Sequence, residues 1–75
     1  MTTSPRNIEF AMAARGRERR RELGLTVGEI AKRMNRDTTW VHLMERDGCS
    51  TLTTIRRWAR ALEMSPKVLA FGEEV

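Results

Sequence analysis

The stretch that decides the fold is Thr26-Val27-Gly28-Glu29-Ile30-Ala31-Lys32-Arg33-Met34, then Asn35-Arg36-Asp37, then Thr38-Thr39-Trp40-Val41-His42-Leu43-Met44-Glu45-Arg46. Thr26 followed three residues later by Glu29 is the pattern of a capping box. The Thr hydroxyl accepts from the Glu29 amide, and the Glu carboxylate accepts from the Thr26 amide. Val27, Ile30, Ala31 and Met34 then recur at i, i+3, i+4 and i+7, one apolar stripe along a helix. Asn35 tolerates the left-handed conformation that closes a helix. Asp37 offers a side-chain acceptor to the first amides of the next helix. That second helix, about Thr38 to Arg46, turns Val41 and Met44 inward. The spacing predicts two short helices joined by a three-residue turn.

The same punctuation continues outward. Upstream, a helix is expected from about Pro5 to Leu23, with Ser4 as N-cap and Pro5 at its first position. Asn7 is a competing cap. Ile8, Met12, Gly16, Arg20 and Leu23 fall on one face, and Gly24 is placed to end the helix. Downstream, Asp47-Gly48-Cys49-Ser50 is a loop. Ser50 or Thr51 caps a fourth helix that carries Leu52, Ile55, Trp58, Ala59 and Leu62 at core spacing. Ser65-Pro66 opens a short fifth helix with Val68, Leu69 and Phe71, stopped by Gly72. Period-two alternation is absent, so no strand is expected. The expectation is an all-α, compact five-helix domain filling residues 1–75, with short flexible ends at 1–4 and 73–75.

The composition narrows the function. The chain has 75 residues, 40% hydrophobic and 32% charged, which is globular rather than disordered. Its net charge is +4, and twelve of its fourteen basic residues are arginine. A small basic domain points first to nucleic acid and second to acidic protein surfaces. No apolar run approaches the roughly 18 residues of a membrane span, and Met1 to Arg6 hold no apolar secretory core. One Cys and one His exclude an internal disulfide and a metal-ligand set. A reducing, cytoplasmic setting is therefore expected. Paired carboxylates in a pocket and a Gly-rich phosphate loop are both missing, which argues against an enzyme, a cofactor and a small-molecule substrate. His42 has no nucleophile or orienting carboxylate that the sequence identifies.

Two helices across a three-residue turn read as a helix-turn-helix. The first crosses the phosphate backbone and holds the second in the major groove, where base edges are exposed. Arg36 and Arg46 flank the second helix and suit phosphates. From about 14 to 71 the chain resembles the Cro and lambda-repressor type, or XRE-like, helix-turn-helix family. The residues that carry the resemblance are 21–26 (Arg-Glu-Leu-Gly-Leu-Thr), Glu29-Ile30-Ala31, Met34, Trp40-Val41 and Met44-Glu45-Arg46. Leu52, Ile55 to Leu62 and Met64-Ser65-Pro66 complete the pattern.

The resemblance implies a lambda-repressor-like fold with its motif at about 26–46. It implies base contacts from Thr38, Thr39, His42 and Leu43. It implies phosphate contacts from Thr26, the Val27 amide, Arg46 and the start of the fourth helix at Ser50 and Thr51. It also implies a buried ion pair between Arg20 and Glu45. The chain departs from the family in four places. Val27 stands where Gln often clamps a phosphate, Asn35 where Gly is usual, and Gly16 where a larger apolar residue packs, and the loop before the fourth helix is about one residue shorter than in many members. Trp58 and Trp40 are large enough to fill the space at Gly16.

Several side chains keep two readings. A Thr hydroxyl can exchange hydrogen bonds with a base while its methyl meets a thymine methyl; His42 can donate to guanine or to phosphate. Leu43 falls out of phase with the core, so it meets thymine methyls or marks a protein-binding face. Arg15, Arg17, Arg19, Arg20 and Arg21 spread around the first helix, with Glu18 and Glu22 as partners. They form a solvated face, or they approach phosphates or an acidic partner. Cys49 reads as a structural thiol. The expected function is a sequence-specific DNA-binding transcriptional regulator acting as a homodimer on an inverted repeat. Ile8 to Met12 with Phe10 extends the core, or else that segment or the fifth helix supplies the dimer seam. The alternative is a protein-interaction module on the same fold, an anti-repressor or antitoxin bound to another regulator or toxin. Val27, exposed Leu43 and Trp40, and the shortened loop favour it.

Overall fold

The computed structural model describes the backbone of residues 5–72 and the side chains of residues 8–72. The expected Ser4 cap and the ends at 1–4 and 73–75 lie outside the described residues. Five helices follow one another: α1 (Pro5–Glu22), α2 (Val27–Met34), α3 (Thr38–Asp47), α4 (Leu52–Ala61) and α5 (Pro66–Phe71). The described residues contain no strand. None of these helices is long and apolar enough to cross a membrane.

Local chemistry sets the boundaries. The capping box of α2 is complete: the Glu29 amide donates to Thr26 Oγ1 at 3.1 Å, and the Thr26 amide donates to Glu29 Oε1 at 2.9 Å. Asn35 closes α2 at φ 56°, and the Arg36 amide reaches back to the Ala31 carbonyl at 2.9 Å. These bonds satisfy carbonyls that the end of the helix leaves open. Asp37 caps α3 through the Trp40 amide at 2.8 Å. Thr51, not Ser50, takes the N-cap position of α4, and its hydroxyl makes no capping bond. Ser65 accepts from the Lys67 amide at 3.1 Å, with Pro66 opening α5.

Helix α1 packs against α3 and α5, α2 against α3 and α4, and α4 against α5. Each helix sends at least one side chain to the centre: Met12, Ile30, Val41, Trp58 and Leu69, closed over by Leu62. Trp58 is the largest fully buried side chain. Its ring packs directly against Gly16 of α1, where any Cβ would overlap the indole. The small residue in α1 and the large one in α4 are therefore complementary. The indole Nε1 is buried without a hydrogen-bond partner. Gly48 plays a similar part at the other end of α1. It has φ 77°, and an added Cβ would collide with the Glu9 carbonyl. The left-handed region and the close approach both require glycine there.

One core expectation does not hold: Leu52 is 61% exposed. Phe71, on the fifth helix, is 68% exposed. The buried stripe of α4 centres on Trp58 and Leu62, which leaves Leu52 at the edge of the first turn. In the six-residue α5, Leu69 and Ala70 face inward, and the next side chain rotates out to solvent. Val68 is half-buried.

The arginine run of α1 also departs from its expected readings. Four of its five members reach the main chain of other segments. Arg15 donates to the Leu69 carbonyl at 2.8 Å and to the Ala70 carbonyl at 2.6 Å. Arg17 donates to the Glu45 carbonyl at 3.2 Å. Arg19 donates to the carbonyls of Leu62 at 3.0 Å and Glu63 at 3.1 Å. Arg20 holds the Leu25 carbonyl at 3.0 Å. From α2, Arg33 adds the Ala61 carbonyl at 2.9 Å. The last carbonyls of a helix lack intrahelical partners and carry the negative end of its dipole, so a guanidinium satisfies both needs. The run staples the ends of α3, α4 and α5. It is not simply a solvated stripe, because four of its five guanidiniums already hold partners within the fold.

Candidate nucleic-acid interface

Helix α3 has one anchored face and one open face. Val41, Met44 and Glu45 are buried, whereas Thr38, Thr39, His42 and Leu43 are exposed together. The anchor includes a charge pair. Arg20 Nε donates to Glu45 Oε2 at 2.6 Å, and Nη2 donates to Oε1 at 3.1 Å. Both side chains are largely out of water, at 15% and 8% exposure. A two-pronged pair fixes direction as well as distance. It sets the roll of α3 about its own axis and so selects which residues face outward.

The first turns of α2 and α3 meet at Gly28. A Cβ there would lie 3.7 Å from Thr26 Oγ1 and 3.9 Å from Thr38 Cγ2. The exposed Thr26 and Thr38 are thus neighbours. Val27 is half-buried and packs on the core, so its side chain is absorbed by folding. Glu29 is held below the usual carboxylate range by its hydrogen bonds with the Thr26 amide and hydroxyl.

The two flanking arginines differ. Arg46 turns its fork onto Asp47, with Nε 3.1 Å from each carboxylate oxygen and Nη2 2.8 Å from Oδ2. This pairing raises the Arg46 pKa above its ordinary value. At 70% exposure such a pair is weak and exchangeable. Arg36 instead stacks on Trp40, its guanidinium carbon 4.9 Å from the ring centroid.

Ser50 and Thr51 are exposed, and with Leu43, Trp40 and Thr54 they line a groove of about 390 Å³ between the end of α3 and the start of α4. Thr26 and Thr38 thus share one corner, and Leu43, Ser50 and Thr51 share another. Cys49, on the same groove, points its sulfur at Met12 Sδ, 3.9 Å away. Burial, with Glu9 adding to it, pushes its thiol up to about 11. A thiol so rarely ionised is a packing group rather than a nucleophile. The described residues hold no cluster of His, Cys, Asp and Glu able to bind a metal ion.

Two features escaped the sequence reading. Apart from Leu25, close to Arg20 in sequence, the carbonyl partners of the α1 arginines lie 28 to 55 residues away, and no local pattern announces them. The Arg36–Trp40 stack did leave a signal, because residues four apart across a helix start are neighbours. The chain matches no protein-family model, no curated protein and no solved structure with which it was compared.

Proposed function

We propose that the protein is a sequence-specific DNA-binding regulator that lays α3 in the major groove. The observation that carries this reading is the open face of α3. Thr38, Thr39, His42 and Leu43 are exposed together, while Val41, Met44 and the Arg20–Glu45 pair hold the other side. A single helix fits the width of the major groove, and hydroxyls, an imidazole and methyl groups are the chemistry that meets base edges. On this reading α2, the turn and α3 form a helix-turn-helix of the Cro and lambda-repressor kind. Thr26, the Val27 amide, Arg36, Arg46, Ser50 and Thr51 then face phosphates.

The protein acts as a homodimer on an inverted repeat. Exposed Ile8 and Phe71 border a shallow apolar groove with Met12 and Ile55, and Phe10 is exposed nearby in α1. These residues supply a seam of suitable chemistry. A second reading, a protein-interaction module, draws on one observation: Leu43 and Trp40 share a groove with Ser50 and Thr51 instead of standing on an open cylinder.

The test is fluorescence anisotropy with DNA from upstream of the protein's own gene, beside scrambled DNA, at two salt concentrations. Specific binding should exceed the scrambled control by about a thousandfold or more at physiological salt. Equal, weak binding that collapses with salt reflects counterion release alone. That result removes the regulator reading in favour of the protein-binding one.

A further inference from the structure

We propose that Trp40 is a positioning residue. It holds the Arg36 guanidinium open for one phosphate diester of the DNA backbone, and Arg36, not Arg46, is the main phosphate clamp beside α3. The inference rests on the DNA-binding reading and specifies which groups make its backbone contact.

Arg36 is fixed at both ends. Its amide donates to the Ala31 carbonyl at 2.9 Å, which closes the end of α2. Its guanidinium lies over the Trp40 ring at 4.9 Å. Between these two anchors the side chain loses freedom before any ligand arrives, so binding costs less ordering. Stacking uses the flat face of the guanidinium and leaves its edge donors unused. Among the described residues the Arg36 guanidinium makes no hydrogen bond and no ion pair. The neighbouring Asp37 forms no ion pair with it; its carboxylate caps the Trp40 amide at 2.8 Å. That same bond starts α3 and fixes the backbone that carries the ring.

The contrast with Arg46 decides which arginine does the work. Arg46 already gives three hydrogen bonds to Asp47, and a phosphate must displace that carboxylate or accept its repulsion. Arg36 presents a planar fork with no carboxylate bound to it at the entrance to α3. Such a fork matches two oxygens of a phosphate diester. Trp40 itself is held by packing against the core, so the platform does not swing away when the arginine is engaged.

The experiment uses the full chain and a short fluorescein-labelled duplex of arbitrary sequence, titrated across a salt series. Arg36→Ala should weaken binding to every duplex by about tenfold. The slope of log affinity against log salt should fall by about 0.9. Arg46→Ala should cost less than about threefold. Trp40→Leu should cost about threefold, and Trp40→Phe, which restores an aromatic face, should recover most of it. In an Arg36→Ala background Trp40→Leu should cost nothing further, because the group it positions is gone.

Because Trp40 also touches the core, Arg36→Lys gives a second route that leaves the ring in place. It should lose affinity while keeping the full salt slope. Equal losses from Trp40→Leu in both backgrounds would overturn the positioning role. A larger loss from Arg46→Ala than from Arg36→Ala would overturn the assignment of the clamp. A wild-type protein that binds no duplex overturns this inference together with the function proposed above. Binding without sequence preference, but with these variant effects intact, removes sequence-specific regulation and leaves the Arg36 clamp standing.

Discussion

Helix α1 carries five arginines in seven residues, and α3 carries one. Charge density alone would assign α1 to the nucleic acid. The structure distributes the groups the other way. Four of the α1 arginines hold main-chain carbonyls, and the anchored face of α3 leaves its polar side chains to solvent. The difference teaches that net charge counts cations, whereas recognition depends on donors that folding has left unused. An arginine at a helix C-terminus keeps its charge but has committed its fork.

The comparison can be broken most forcefully at the pair that joins the two helices. Glu45→Ala leaves the Arg20 guanidinium half-buried without its carboxylate and should cost about 3–5 kcal/mol in urea unfolding. Replacing both partners with Met and Leu should return most of that loss. A small cost for the single change would mean that α3 is held by apolar packing alone.

Next in size is the seam between α1 and α4. Gly16→Ala raises helix propensity by roughly 1 kcal/mol. It also drives a methyl into the Trp58 ring, so the net effect should be a loss of about 2–3 kcal/mol. Adding Trp58→Phe should recover part of it. The smaller ring makes room and removes an indole N–H that has no partner.

Cys49 reports on the contact of α1 with the end of α3. With its thiol near 11 against 9.0 for a free thiol, it holds about a hundredfold less thiolate at pH 8. Alkylation of the folded protein should be slower than that of the urea-unfolded chain in proportion. The same shift gives a stability window. Below about pH 9 the thiol is protonated folded or unfolded. Between about 9 and 11 only the unfolded chain ionises, so stability falls as pH rises through that range. Matching alkylation rates in the two states would show that the seam opens freely.

Smaller effects separate staple from surface. Arg15→Ala removes two charge-assisted bonds and should cost about 1–2 kcal/mol of stability. Thr39→Ala should change stability by less than about 0.5 kcal/mol. It should nevertheless cost about 1–3 kcal/mol in binding to a preferred duplex and relax sequence preference. A Thr39→Ala protein that binds like wild type would move base reading off the α3 face.

The parts of the fold that were legible are those that local chemistry writes. Thr26 with Glu29, Asp37, Ser65 with Pro66, and Asn35 each act within four residues, and each forms the cap its pattern implies. The stripe Ile30, Ala31 and Met34 was legible for the same reason. Leu52 was misread because helical spacing says which side chains share a face but not how far along the helix a partner extends. Gly16 was noticed as too small for its place, and Trp58 was one of two residues large enough to fill it; only packing shows the two in contact. In the candidate site, the exposure of Thr38, Thr39, His42 and Leu43 follows from the phase of Val41 and Met44. The unequal states of Arg36 and Arg46 do not follow, because they turn on which neighbour each guanidinium meets.

The bonds from Arg15 to Leu69 and Ala70 span 54 and 55 residues of chain. An isolated helix of six residues is far too short to persist in water, so α5 depends on its partners, α4 beside it in sequence and α1 far from it. Closing so large a loop is slow compared with forming the local turn between α2 and α3. The centre of the chain can therefore become helical early, while its two ends are completed together. In native-state hydrogen exchange the amides of α5 should open at the same free energy as those in the middle of α1, as one cooperative unit. A lesion in either terminal helix then unravels both.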